Sequence, residues 1–149
     1  MLNLNTGGLS RIIAIDYGSK RVGLAVTDPL QMIATGLAAL HSKDVVSFLK
    51  EYLKKEAVSC FVVGEPRQMD NTPSESARLI VPFIRLLEKH FPGIEIARMD
   101  ERFTSKMAVQ TLVMGGVKKK ERQNKSLLDE ISATIILQSF MEMKNSTKK

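Results

Sequence analysis

The sequence predicts an α/β protein built on a five-stranded mixed sheet, with helices on both faces. Three observations carry that assignment. Two apolar, β-branched runs flank a glycine turn at residues 11–28, as the strands of a hairpin do. At residues 45–53 the hydrophobic period lengthens from two to that of a helix. A continuous apolar run at 58–64 then fits a strand covered on both faces.

Taken in order, "RIIAID" (11–16) is the first strand and "YGSK" the turn, with Gly18 free to take a positive φ. "RVGLAVTD" (21–28) is the second strand, antiparallel to the first. Gly23 inside it points to a bulge or to close approach by another group. Asp28-Pro29 closes that strand, and "MIATGLAAL" (32–40) completes a three-strand antiparallel meander. Val45, Phe48, Leu49, Tyr52 and Leu53 recur at helical spacing, with Ser42 and Asp44 near the start. "VSCFVVG" (58–64) is the fourth strand. Thr72-Pro73-Ser74-Glu75 has the form of an N-cap, a first-turn proline and a capping-box acid. A helix should run from there toward His90, kinked or split at Pro82. After Pro92-Gly93, "IEIARMD" (94–100) alternates as a fifth strand. Two helices follow, at about 104–114 and about 126–143, joined by the cationic linker "VKKKERQNK" (117–125). The element string is therefore βββαβαβαα. Right-handed crossovers place strand one beside strand four and add two parallel strands to the meander. The carboxyl ends of strands one, four and five then share one edge, where ligand sites of open α/β sheets lie.

The length of 149 residues fits one domain, taken as 11–143, with a disordered lead-in at 1–10 and a polar basic tail at 144–149. No apolar run approaches the roughly 20 residues that span a bilayer. "MLNLNTGGLS" lacks the cationic and apolar segments of a secretory signal. Cys60, the single cysteine, lies in an apolar run, so a buried thiol and a cytoplasmic setting are expected. The net charge of +6 is uneven: residues 98–149 carry 11 Lys/Arg against 6 Asp/Glu, and the first 97 carry 11 against 10. Such an end is either a solvated tail and loop or a surface facing a polyanion. With two tyrosines and no tryptophan, a base-stacking platform is disfavoured, and the phosphate backbone is the expected target.

Acids gather at the expected sheet edge. Asp16 ends strand one, Asp100 and Glu101 end strand five, and Asp129 opens the last helix. Each has a plain alternative: a turn acid for Asp16, a surface ion-pair cluster around Glu101 and Arg102, and a capping box in Ser126-x-x-Asp129. Thr104 fits an N-cap. Joint placement favours chemistry, because converging carboxylates repel unless a cation joins them. Mg²⁺ or Mn²⁺ suits an all-oxygen set and serves phosphodiester hydrolysis. Lys20, Arg21, Arg102, Lys106 and Lys125 are the nearby cations that would face a substrate phosphate.

"IAIDYGSKRVGLAVTD", "VVGEPRQMDNTPSES", "DERFTSKMA" and "DEISATIILQ" resemble, in order and spacing, the YqgF family, also called RuvX. The resemblance covers roughly residues 11–143 and rests on four motifs in register. It implies a ribonuclease H-like fold, related to the Holliday-junction resolvase RuvC. It further implies a nuclease that helps mature the 5′ end of pre-16S ribosomal RNA. By that resemblance Asp16, Glu101 and Asp129 are the catalytic, metal-holding acids, Lys20 and Arg21 are hairpin cations, and Arg102, Thr104 and Ser105 contact substrate or brace the site. RuvC-type sites usually carry a fourth acid one helical turn from the helix acid. Here Ser126 and Ser132 stand three residues either side of Asp129, so a second metal site is expected to be weak, or filled by Asp100 or by substrate oxygens. Glu65 is a reserve ligand.

The leading expectation is a metal-dependent nuclease on structured RNA, a monomer or weak dimer with pre-rRNA and pre-ribosomal particles as partners and no membrane. Alternatives are a resolvase-like nuclease on branched DNA and a non-catalytic RNA-binding ribosome-assembly factor. Actin-like phosphotransfer, which "IDYGS" also suggests, needs two such domains and ranks last.

Overall fold

The computed structural model describes residues 9–65, 78–100 and 125–146. Its five-stranded sheet has the order β3-β2-β1-β4-β5. Strands β1 (Arg11–Tyr17), β2 (Arg21–Thr27) and β3 (Ala34–His41) form the antiparallel meander. Strands β4 (Val58–Glu65) and β5 (Glu95–Asp100) extend it in parallel from β1. Helix α1 (Val45–Leu53) follows a 3-10 turn at Ser42–Asp44, α2 (Ile80–His90) lies between β4 and β5 in the chain, and α3 (Lys125–Ser146) is the last described element. The mixed sheet and the pairing of strand one with strand four agree with the sequence reading.

Alternation along the strands divides the core into two layers. Ile13, Ile15, Val22, Leu24, Val26, Phe61 and Val63 face α1 and α2, against Val45, Leu49, Ile80, Phe83 and Leu87. Ile12, Ala14, Ala25, Cys60, Val62 and Met99 face α3, against Ala133, Ile136 and Leu137. Helices therefore cover both faces. β1 and β4 have buried side chains on both sides, which is why they read as unbroken apolar runs.

Several boundaries move for identifiable reasons. β3 begins at Ala34, later than expected, because Asp28 captures the loop before it. The Asp28 carboxylate accepts from the backbone N–H of Ile33 (2.7 Å), Met32 (2.8 Å) and Leu30 (3.2 Å). Those bonds, to Ile33 and Met32 above all, hold its pKa below the ordinary carboxylate value. Gln31 completes the loop at φ 57°. Pro82 is the third residue of α2, inside the first turn, where its missing N–H costs no intrahelical bond. Residues 78 and 79 ahead of it are 3-10, so the α-helix starts at the proline's turn. The expected cap at Thr72–Glu75, the expected helix at 104–114 and the linker up to residue 124 lie outside the described residues.

Cys60 is buried beneath α3, as expected, and burial pushes its thiol up to about 11. A water-soluble disulfide reagent at pH 8 should therefore leave Cys60 unmodified in the folded protein and titrate it fully in denaturant. Stoichiometric reaction before unfolding would contradict this burial.

Candidate active site

The register of the β1–β2 hairpin pairs Asp16 with Gly23. Directly opposed residues of an antiparallel pair project to the same face of the sheet. Ile12 and Ala14, two and four residues before Asp16, pack against α3, so Asp16 also faces α3. Its side chain is half-buried at the end of the strand.

Gly23 explains how α3 reaches that point. A Cβ there would collide with the backbone carbonyl of Asp129 and come within 3.2 Å of its Cα. No side chain other than hydrogen fits beneath this turn of the helix. Of the two expectations for Gly23, close approach is the correct one. The bulge is on β3 instead, where the partners of Leu24 and Ala25 skip from Ala38 to Gly36. On α3, Asp129 extends the sheet-facing stripe of Ala133, Ile136 and Leu137, at spacings of four, seven and eight residues. The capping-box alternative does not hold, because Lys125 and Ser126 already belong to α3, and a cap residue lies outside the helix it caps. One contact, Gly23 on Asp129, thus sets the helix acid over the hairpin beside the strand acid.

Arg21 shares this face, two residues before Gly23. Its Nε donates to Oδ2 of Asp129 at 2.8 Å. The Arg21 side chain is 48% exposed and that of Asp129 is 19% exposed. A pair this open to water contributes about 0–1 kcal/mol to stability. The expectation that Arg21 serves a phosphate did not include this partner. The two residues are 108 positions apart, and no local pattern links them.

Lys20 is exposed in the hairpin turn, and its carbonyl accepts from Ser42 N–H at 3.0 Å. Ser42 Oγ donates to the Ser19 carbonyl at 2.8 Å, so the turn is tied to the start of α1. Gly18 does not take the positive φ expected of it. The constraint there is steric: a Cβ would lie 2.7 Å from the carbonyl oxygen of Arg21.

The reserve acids are elsewhere. Glu65 continues the alternation of Phe61 and Val63, which face α1 and α2, the side opposite Asp16. It accepts from Arg98 at 2.7 Å. Asp100 pairs in register with Glu65 and shares the side of Ile96, whereas Met99 faces α3. Counting residues in twos from Val63 and Ile96 would have shown this from the sequence. Neither acid joins Asp16. Glu101, Arg102, Thr104, Ser105 and Lys106 lie outside the described residues, as does the side chain of Lys125 at the start of α3. Among the described residues no three acids, histidines or cysteines form a metal-sized group.

The arrangement fits a divalent ion in two respects. The donors that α3 and β1 bring together are carboxylate oxygens, the set that Mg²⁺ and Mn²⁺ prefer. A cation already stands at Asp129, in the form of the Arg21 guanidinium. Among the described residues no helix is long and apolar enough to cross a membrane.

Comparison with known proteins agrees with this architecture. A family model described as RuvX, Holliday junction resolvase, matches residues 10–143. A protein of Phocaeicola vulgatus named "Putative pre-16S rRNA nuclease" is 54% identical over 136 residues, 91% of this chain and 98% of that protein. Proteins of the same name from Christiangramia forsetii and Flavobacterium psychrophilum are 53% and 51% identical, covering 89% and 91% of this chain and 98% and 99% of theirs. Among solved structures, T. thermophilus RuvC in complex with a Holliday junction substrate matches with a TM-score of 0.53 at 16% identity, over 91% of this chain and 96% of that one. At that identity the likeness concerns the fold, which is the ribonuclease H-like fold expected from the motifs. With the family model matched over residues 10–143 and relatives at half identity over about nine-tenths of the chain, this chain belongs to the RuvX family.

Proposed function

We propose that the protein is a metal-dependent nuclease of structured RNA that matures the 5′ end of pre-16S rRNA in the cytoplasm, on pre-ribosomal particles, as a monomer or weak dimer. The observation that carries this reading is the seating of Asp129 on Gly23, directly opposite Asp16. The relatives' shared name supports the RNA substrate. In this reading Asp16 and Asp129 hold Mg²⁺ or Mn²⁺ together with Glu101. Support for Glu101 comes from the sequence: it stands in "DERFTSKMA", one of the motifs that resemble the RuvX family, whose model matches residues 10–143. When bound, the ion supplies Lewis acidity at a phosphoryl oxygen and a lowered pKa for attacking water. The rigid β1–β2 hairpin orients Asp16, and the close-packed α3 fixes Asp129, so neither acid has to reorganise during the reaction. Lys20 and Arg21 on the hairpin, with Arg102, Lys106 and Lys125, grip phosphates flanking the scissile bond. Thr104 and Ser105 brace the substrate.

The family description as a Holliday junction resolvase supports a second reading, cleavage of branched DNA. The two are separated by offering the full chain a pre-16S precursor and a four-way DNA junction across a Mn²⁺ titration. Metal-dependent cleavage of the precursor near its 5′ end is the expected result. Selective cutting of the junction would replace the RNA reading. Binding of RNA without turnover at any metal concentration would reduce the protein to an assembly factor.

A further inference from the structure

Resting on that reading of the site, the geometry points to Arg21 as an exchangeable cation. It occupies Asp129 when no divalent ion is bound and is driven off when one binds. Its guanidinium is then released to a substrate phosphate.

Three observations lead here. The contact is an ion pair in which Arg21 Nε donates to Oδ2 of Asp129 at 2.8 Å, so a cation already sits where a divalent ion would bind. Arg21 is half exposed, so water readily takes over its hydrogen bonds. The backbone of Asp129 does not depend on Arg21 for its position, since it is already pinned against Gly23. An arginine that is neither buried with the acid nor needed to place its backbone acts mainly through its charge. A guanidinium and a doubly charged ion at one carboxylate repel at close range. Ion binding at Asp129 must therefore work against Arg21, and departure of the side chain relieves that conflict. The side chain is long, rooted in the hairpin beside Lys20, and suited to bidentate phosphate contact once free. Ion and polyanion then bind with positive coupling, each tightening the other through one residue.

The test is Mn²⁺ affinity of the full chain without nucleic acid, measured by electron paramagnetic resonance. Arg21→Gln should bind Mn²⁺ about five- to tenfold more tightly than the parent. Arg21→Lys, which keeps the charge, should stay near the parent value. In an Asp129→Asn background, Arg21→Gln should have almost no effect. A second arm repeats the titration with an RNA hairpin blocked against cleavage by phosphorothioate. The RNA should tighten Mn²⁺ binding to the parent and lose most of that effect with Arg21→Gln. Unchanged or weaker Mn²⁺ binding by Arg21→Gln overturns the exchange, weaker binding showing that Arg21 positions the acid. If Asp16→Asn and Asp129→Asn both leave Mn²⁺ affinity unaltered, the metal site itself is wrong and the exchange falls with it. If those two weaken binding while Arg21→Gln does not tighten it, the site stands and only the exchange fails.

Discussion

Replacing Asp16 by asparagine is expected to leave a folded protein that no longer cuts RNA. The substitution keeps the shape of the side chain and removes its charge at the end of a strand whose packing is carried by Ile12, Ile13, Ala14 and Ile15. Unfolding by heat should shift by no more than a few degrees, because none of those buried contacts is touched. Cleavage should fall by at least about a thousandfold, or about 4 kcal/mol of transition-state stabilisation, if Asp16 holds the ion that polarises the phosphate. Single-turnover cleavage of a pre-16S precursor in Mn²⁺, beside calorimetry of the same samples, decides the matter. A folded Asp16→Asn protein that cuts at the parental rate would remove the proposed mechanism at its root.

Gly23→Ala should damage both stability and the site, although it alters no acid. The added methyl must enter space filled by the carbonyl of Asp129, which is helix backbone and cannot rotate away. α3 has to lift or slide, at a cost of about 1–3 kcal/mol. For a domain of this size that is a fall of about 3–10 °C in Tm. The same displacement carries Asp129 away from Asp16, so Mn²⁺ affinity should drop along with cleavage. Gly36→Ala is the matched control. There the methyl would meet Oε1 of Glu130 at 2.7 Å, the far end of a flexible side chain that can swing aside, and Cβ of Glu130 at 3.3 Å, which asks for a shift of only a few tenths of an ångström. Its expected cost is below about 1 kcal/mol. Equal behaviour of the two variants in urea unfolding and in Mn²⁺ titration would show that the Gly23 contact does not set the site.

The sequence was legible where one physical signal dominated. The hairpin of β1 and β2 follows from β-branched runs around Gly18, and β4 from an apolar stretch buried on both faces. Gly23 was informative because a residue without a side chain in a buried strand requires a neighbour to explain it. Asp129 was ambiguous for the opposite reason. Ser126 three residues earlier copies a cap, and only its place within α3 shows that it is not one. The faces of Glu65 and Asp100 were readable by strict alternation, but their position at a sheet edge drew them toward Asp16. The Arg21–Asp129 pair was beyond sequence reasoning, since it depends on how far α3 descends onto β2. Of the expected metal acids, Asp16 and Asp129 fall on one face, and Glu101 lies outside the described residues.

The two acids that flank Gly23, Asp16 on β1 and Asp129 on α3, are made at very different times. A nascent chain that has emerged only through β5 already contains Asp16 but has no α3 to set against the hairpin. In the proposed site a polypeptide without α3 lacks Asp129, so it should be unable to cut the RNA around it. Premature termination, or a frameshift before residue 125, should leave that safeguard in place, so unfinished copies made amid ribosomal RNA should stay inert.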